Sequence, residues 1–186
     1  MAEALGAQRT LIRWTPLLAI AVWWAIRMVT TGQVSFETGI SIGVFGHFGL
    51  ILVVALVAAF QGQDAPSFLE RFKNSLRPTV LYAILAAGST VAYHHVICAE
   101  STSLRMLERE AFIDRSLADE AGFAELQAAD PQLAAMDVET ARERAKASLR
   151  FQFDPLWHFT ASLLMWIAAA MSTVLFTSFL GQWFKS

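Results

Sequence analysis

The stretch TGISIGVFGHFGLILVVALVAAF, Thr38–Phe60, decides the architecture of this 186-residue chain. It contains no Asp, Glu, Lys or Arg, and it exceeds the roughly 20 apolar residues that a helix needs to cross a bilayer core. Its apolar positions do not alternate with period two, which excludes a strand of a membrane β-barrel. The expectation is a membrane-spanning helix.

Three further blocks read the same way: Trp14–Thr31, Pro78–Cys98 and Pro155–Phe179. The first has no small-residue cleavage site after its apolar run, so it is expected to be a retained span and not a signal peptide. Gly32-Gln33 and the Gln61–Pro66 run are the breaks. Pro78 and Pro155 open spans three and four, where a missing N–H costs nothing. The expected fold class is an all-α membrane protein with four transmembrane helices and a helical hairpin excursion between the third and fourth. The expected divisions are 1–98 for spans one to three, 99–154 for the excursion, and 155–186 for span four and the C-terminus.

Composition agrees. The chain is 55% hydrophobic and 16% charged, against roughly 25% charged in soluble domains. Fourteen Lys and Arg against sixteen Asp and Glu leave a net charge of −2, without the basic face a nucleic-acid binder needs. The single cysteine, Cys98, excludes an intrachain disulfide and multi-cysteine zinc or iron–sulfur sites.

Orientation follows from the basic residues of the short flanks. Arg9 and Arg13 precede span one, Arg71, Lys73 and Arg77 lie between spans two and three, and Lys185 ends the chain. Both termini are therefore expected in the cytoplasm. Residues 66–77 place Phe68, Leu69, Phe72 and Leu76 on one stripe, an amphipathic helix at the cytoplasmic interface. Its plain role is a surface anchor; a lipid-headgroup or partner site is the alternative.

Residues 99–154 are too many for a connector and have helical composition. Asp130-Pro131 breaks the run and Asp137 is placed to cap a second helix. Leu104, Leu107, Ala111, Phe112, Leu117, Phe123, Leu126, Leu133, Val138, Leu149 and Phe151 are expected to zip two helices together.

Histidine is the main candidate for chemistry. His94 and His95 end span three, His158 begins span four, and His47 lies about nine residues, or about 14 Å, inside span two. Ionisable groups inside a membrane mark functional sites by default, and imidazole is the commonest transition-metal ligand. Against this, no HxxxH spacing occurs, and adjacent His94 and His95 project about 100° apart on an α-helix. No cofactor is expected; a haem or metal site on His47, His94, His95 or His158 is the alternative. Arg27, near the end of span one, is expected to snorkel to headgroups or to pair with Glu37. Gly39, Gly43 and Gly46 form a small-residue face suited to close helix packing. Trp14, Trp157 and Trp183 fall at span ends, where an interfacial aromatic belt forms, whereas Trp23, Trp24 and Trp166 lie deeper.

No nucleophile elbow, P-loop, HExxH or dinucleotide fingerprint occurs, so no catalytic residue is expected. SFLERFKNSLR (Ser67–Arg77), the Tyr93–Ile97 end of span three with its charged helical excursion, and FQFDPLWHF (Phe151–Phe159) resemble an uncharacterised bacterial family of small four-span membrane proteins. That resemblance implies a bacterial inner-membrane location and transfers no activity. The expected role is non-catalytic: an accessory, assembly or scaffolding subunit, with lipid bilayer and other membrane subunits as partners. The alternatives are a cofactor-binding protein and an oligomeric transporter or channel.

Overall fold

In the computed structural model, residues 2–61, 67–129 and 135–183 are described. Among them every regular element is helical: α1 (Ala2–Thr30), α2 (Phe36–Gln61), α3 (Phe68–Ala92), a π-helical turn (Tyr93–Ile97), α4 (Ala99–Ala118), α5 (Glu120–Ala129), α6 (Val138–Gln152) and α7 (Pro155–Trp183). Among the described residues, three helical stretches are long and apolar enough to cross a membrane, Phe36–Phe60, Phe68–Ile97 and Pro155–Trp183. The chain is a membrane protein of helical construction.

Local chemistry sets the helix boundaries. Gly32, at φ +78°, takes the left-handed conformation that ends α1 without a Cβ penalty. Ser35 then caps α2, its Oγ accepting from the Thr38 N–H at 3.2 Å. Asp154 caps α7 by accepting from the Leu156 and Trp157 N–H groups at 2.9 and 3.0 Å, and Pro155 takes the first helical position.

Two boundaries differ from expectation: the helical run read as unbroken up to Asp130 is interrupted at Asp119, between α4 and α5, and the third span does not begin at Pro78. The amphipathic segment and the third apolar block form one helix, α3, which runs through Pro78 instead of starting there. Proline removes one backbone hydrogen bond, but continuous apolar packing on both sides holds the helix together. Tyr82, Ala83, Ala86 and Ala87 are fully buried beyond it, as are Ser75 and Thr79 around it.

The chain divides into two compact units. Met1–Thr90 with Phe159–Ser186 form one, and Val91–His158 form the other. In the first, α1, α2, α3 and α7 share a core of Ala19, Ile51, Val54, Tyr82, Ala83, Ala86, Ala87, Trp166 and Ala170. Small residues dominate the α3 side of it, which lets helix backbones approach closely. The outward faces are apolar too: Leu18, Phe45, Leu164 and Phe179 are all exposed, as expected where lipid is the solvent.

In the second unit, α4 and α6 run antiparallel. Glu110 pairs with Arg150 at 2.7 Å, and Asp114 pairs with Lys146 at 2.7 Å and Arg142 at 3.4 Å. Leu117, Phe123 and Ala141 form a small core, flanked by Ile113, Met136 and Val138. Leu104, Leu107, Phe112 and Phe151 depart from expectation: they are more than half exposed and do not join the two helices. The ion pairs fix a register in which Ile113 and Leu117 face α6, and this turns Leu104 and Leu107 outward. Asp130-Pro131, Leu133, residues 62–66 and Lys185 lie outside the described residues, as do the side chains of Arg9 and Leu126.

Candidate functional site

One set of buried polar groups in the first unit centres on His47, which is 1% exposed. Gly39, Gly43 and Gly46, lacking side chains, leave a groove along α2, and Trp23 and Arg27 of α1 lie in it. A Cβ at Gly46 would stand 3.4 Å from Trp23 Cδ1, and one at Gly43 would stand 3.6 Å from Arg27 Nε. In that groove the Trp23 indole stacks on the His47 ring, with centroids 4.3 Å apart and planes at 14°. Its Nε1 donates to the Gly43 carbonyl at 3.0 Å. Beside Trp23, Trp24 Nε1 donates to Ser89 Oγ of α3 at 3.1 Å. From α7, Trp166 meets the His47 ring edge-on at 4.9 Å.

Both nitrogens of His47 are bonded. Nδ1 lies 2.8 Å from the Tyr82 hydroxyl and Nε2 lies 3.3 Å from Thr90 Oγ1. The Thr90 hydroxyl donates to the Ala86 carbonyl at 2.9 Å, so its oxygen receives the His47 Nε2–H. Nδ1 is then left to accept from Tyr82. One donating and one accepting nitrogen is the hydrogen-bonding pattern of a neutral imidazole. The arrangement suits a fully satisfied core histidine, not one offering a lone pair to a ligand.

The expected snorkelling of Arg27 requires a correction. It does not reach outward as a membrane anchor: it is 3% exposed and donates through Nη1 to the Gly39 carbonyl. Its guanidinium carbon also lies 5.9 Å from the Trp23 ring centroid, within cation–π range. The physical reason is the missing side chains of Gly39 and Gly43, which leave room for the guanidinium and a carbonyl for it to bond. Trp14, Trp157 and Trp183 are exposed, at 56%, 42% and 69%.

A second buried cation was not singled out by the sequence. Arg71 is 3% exposed, donates to the Ala59 carbonyl at 3.4 Å, and packs against Gly181. Ser75 and Ser178 are fully buried, and their hydroxyl oxygens have no hydrogen-bond partner among the described residues. The available signal was the i, i+4 spacing of Arg71, Ser75 and Thr79 on one helix face.

The other three histidines meet within the second unit. The π-helical turn carries His94 and His95, and wider turns of this kind often mark functional sites. His95 Nε2 stands 3.1 Å from His158 Nδ1. The His94 and His158 ring centroids are 5.5 Å apart. Among the described residues no group of three or more His, Cys, Asp or Glu is placed to hold a metal ion. The His94 carbonyl accepts from Thr102 Oγ1 at 2.8 Å, which ties the turn to α4.

No family model, curated protein or solved structure matches the chain.

Proposed function

We propose that this chain is a non-catalytic, multi-pass membrane protein that serves as an accessory, assembly or scaffolding subunit of a larger membrane complex. In this reading it has four spans, α1 being the fourth. The support for α1 is its packing, since Trp23 and Arg27 are buried against α2. Residues 99–154 form the excursion on the far side, and both termini lie in the cytoplasm of a bacterial inner-membrane protein. The basic flanks support the orientation, and the helices long and apolar enough to cross a bilayer support the membrane.

The observation that carries the proposal is the apolar face of α4. Leu104, Leu107 and Ala111 recur at spacings of three and four, so they share one face, and Phe112 lies beside them. Leu104, Leu107 and Phe112 are 55–61% exposed on a helix otherwise rich in charge. An apolar patch rimmed by charges is the usual form of a protein-docking surface. His47, the most deeply placed ionisable group of α2, has both nitrogens engaged internally, which supports a structural use.

The test is purification of the tagged chain in mild detergent at native expression level, with a photo-crosslinking residue at Ala111. Stoichiometric capture of larger membrane subunits, lost in Leu104→Glu/Leu107→Glu without loss of helicity, is the expected result. A lone chain or a homo-oligomer overturns the reading.

A metal site is the second reading, and one observation favours it. The His95 Nε2–His158 Nδ1 hydrogen bond of 3.1 Å is also close to the roughly 3.3 Å separating two nitrogens on one tetrahedral ion with bonds of about 2.0 Å. Metal analysis and an absorbance scan of the same preparation separate the two readings. A colourless, metal-free, fully folded protein removes the second.

A further inference from the structure

Three cations meet in one cleft. Arg13 of α1 and Lys73 and Arg77 of α3 line it together with Asn74, over a floor of Pro16, Pro78 and Leu81. Its volume is about 590 Å³, inside the roughly 300–1,000 Å³ range of ligand pockets. No acidic side chain is among the lining residues. Lys73 and Arg77 stand four apart on one helix face, where like charges repel. Arg71, the remaining cation of the segment, is turned inward to the Ala59 carbonyl. The cleft therefore concentrates positive charge that an anion would neutralise.

The position says which anion. In α1 the sequence passes from Arg13 directly to the apolar run at Trp14, and in α3 it passes from Arg77 to Pro78. Both helices change from basic to apolar at the cleft, the level at which lipid phosphates meet hydrocarbon. The floor is apolar, and Trp14, Leu17 and Leu18 are exposed beside it on α1. A free phosphate has no use for that apolar half, whereas an acyl chain does. Basic pockets between spanning helices are a recurrent form of anionic-lipid site.

We infer that this cleft binds an anionic phospholipid, its phosphate held by Arg13, Lys73 and Arg77 and its acyl chains lying over Pro16, Pro78 and Leu81. Asn74 donates to the headgroup oxygens, and binding fixes α1 against the start of α3.

The test uses the full chain in phosphatidylcholine nanodiscs containing a minority of phosphatidylglycerol, with retained lipid read by native mass spectrometry. Selective retention of phosphatidylglycerol is expected. Retention should fall about fivefold per cation removed, and about a hundredfold in Arg13→Gln/Lys73→Gln/Arg77→Gln. These three side chains are exposed, so helicity should be unchanged. If the triple variant fails to fold, Lys73→Gln alone carries the fivefold expectation. Arg109→Gln/Arg115→Gln/Arg144→Gln removes the same charge elsewhere and should retain lipid normally. Equal retention by the cleft variant overturns the inference, and so does equal loss in the control variant. Displacement of the lipid by inorganic phosphate at comparable concentration would make this a free-phosphate site and would also overturn it.

Discussion

Replacing Tyr82 by phenylalanine deletes one oxygen atom and asks whether the His47 network holds the first unit together. The Tyr82 hydroxyl lies 2.8 Å from His47 Nδ1, and Tyr82 is fully buried. Thr90 already receives the Nε2–H, so Tyr82→Phe would leave the Nδ1 lone pair without a donor. In a soluble core, an unsatisfied buried acceptor costs about 1–3 kcal/mol. Between membrane helices, measured couplings average about 0.6 kcal/mol and reach about 1.7, because the unfolded chain in the membrane also finds partners. The ring stack with Trp23 and the contact with Trp166 survive the substitution, so the cost should come from the hydrogen bond alone. The expected loss is about 1 kcal/mol, roughly a fivefold change in the folding equilibrium. The assay is denaturant titration in detergent, followed by far-UV circular dichroism, on Tyr82→Phe, His47→Phe and the double variant. His47→Phe preserves a ring to stack on Trp23 but leaves the buried Tyr82 hydroxyl without its acceptor, so Tyr82→Phe should cost nothing or be stabilising in that background. A coupling energy below about 0.3 kcal/mol, within the error of additivity, would show that the bond does not contribute and would refute the network as a stabilising device.

Two further outcomes test neighbouring parts of the structure. Gly43→Ala should be tolerated within about 0.5 kcal/mol, since the new Cβ would meet Arg27 and Trp23 at 3.6–3.7 Å; Gly43→Leu should cost about 1–3 kcal/mol by overpacking, and equal melting temperatures for the two would contradict the groove. Asp137 caps α6 through the Thr140 N–H at 2.8 Å, and hydrogen bonds from Thr140 hold its carboxyl below the ordinary value of 3.8. A lowered folded-state value means the cap's contribution is complete above that ordinary value and is lost as pH falls through the lowered one. Acidification below about pH 3.8 should therefore reduce helicity more in the natural chain than in Asp137→Asn, whose side chain caps without titrating; identical acid profiles would reject the cap.

The sequence carried the helical architecture because membrane crossing is a one-dimensional problem. About 20 uncharged apolar residues satisfy it wherever the chain goes next, so Thr38–Phe60 could be read without knowing its neighbours. The caps were also local: Asp137 acts on a residue three positions away. Partners across helices were not legible in this way. Tyr82 and Thr90 share a face of α3, eight residues apart, but nothing in their spacing points to His47, which is 35 and 43 residues away. Arg27 was readable as a cation in an apolar block, and its depth was visible. Its direction was not, because the Gly39 carbonyl and the groove beside it exist only once α1 lies on α2. Leu104 and Leu107 fail for the same reason: periodicity identifies an apolar stripe but not which stripe the Glu110–Arg150 and Asp114–Lys146 pairs turn toward α6. The chain alone determined that its helices belong in a membrane. Tertiary packing decided which polar groups face one another inside it, because a buried polar atom takes whichever partner the neighbouring helix brings within bonding distance.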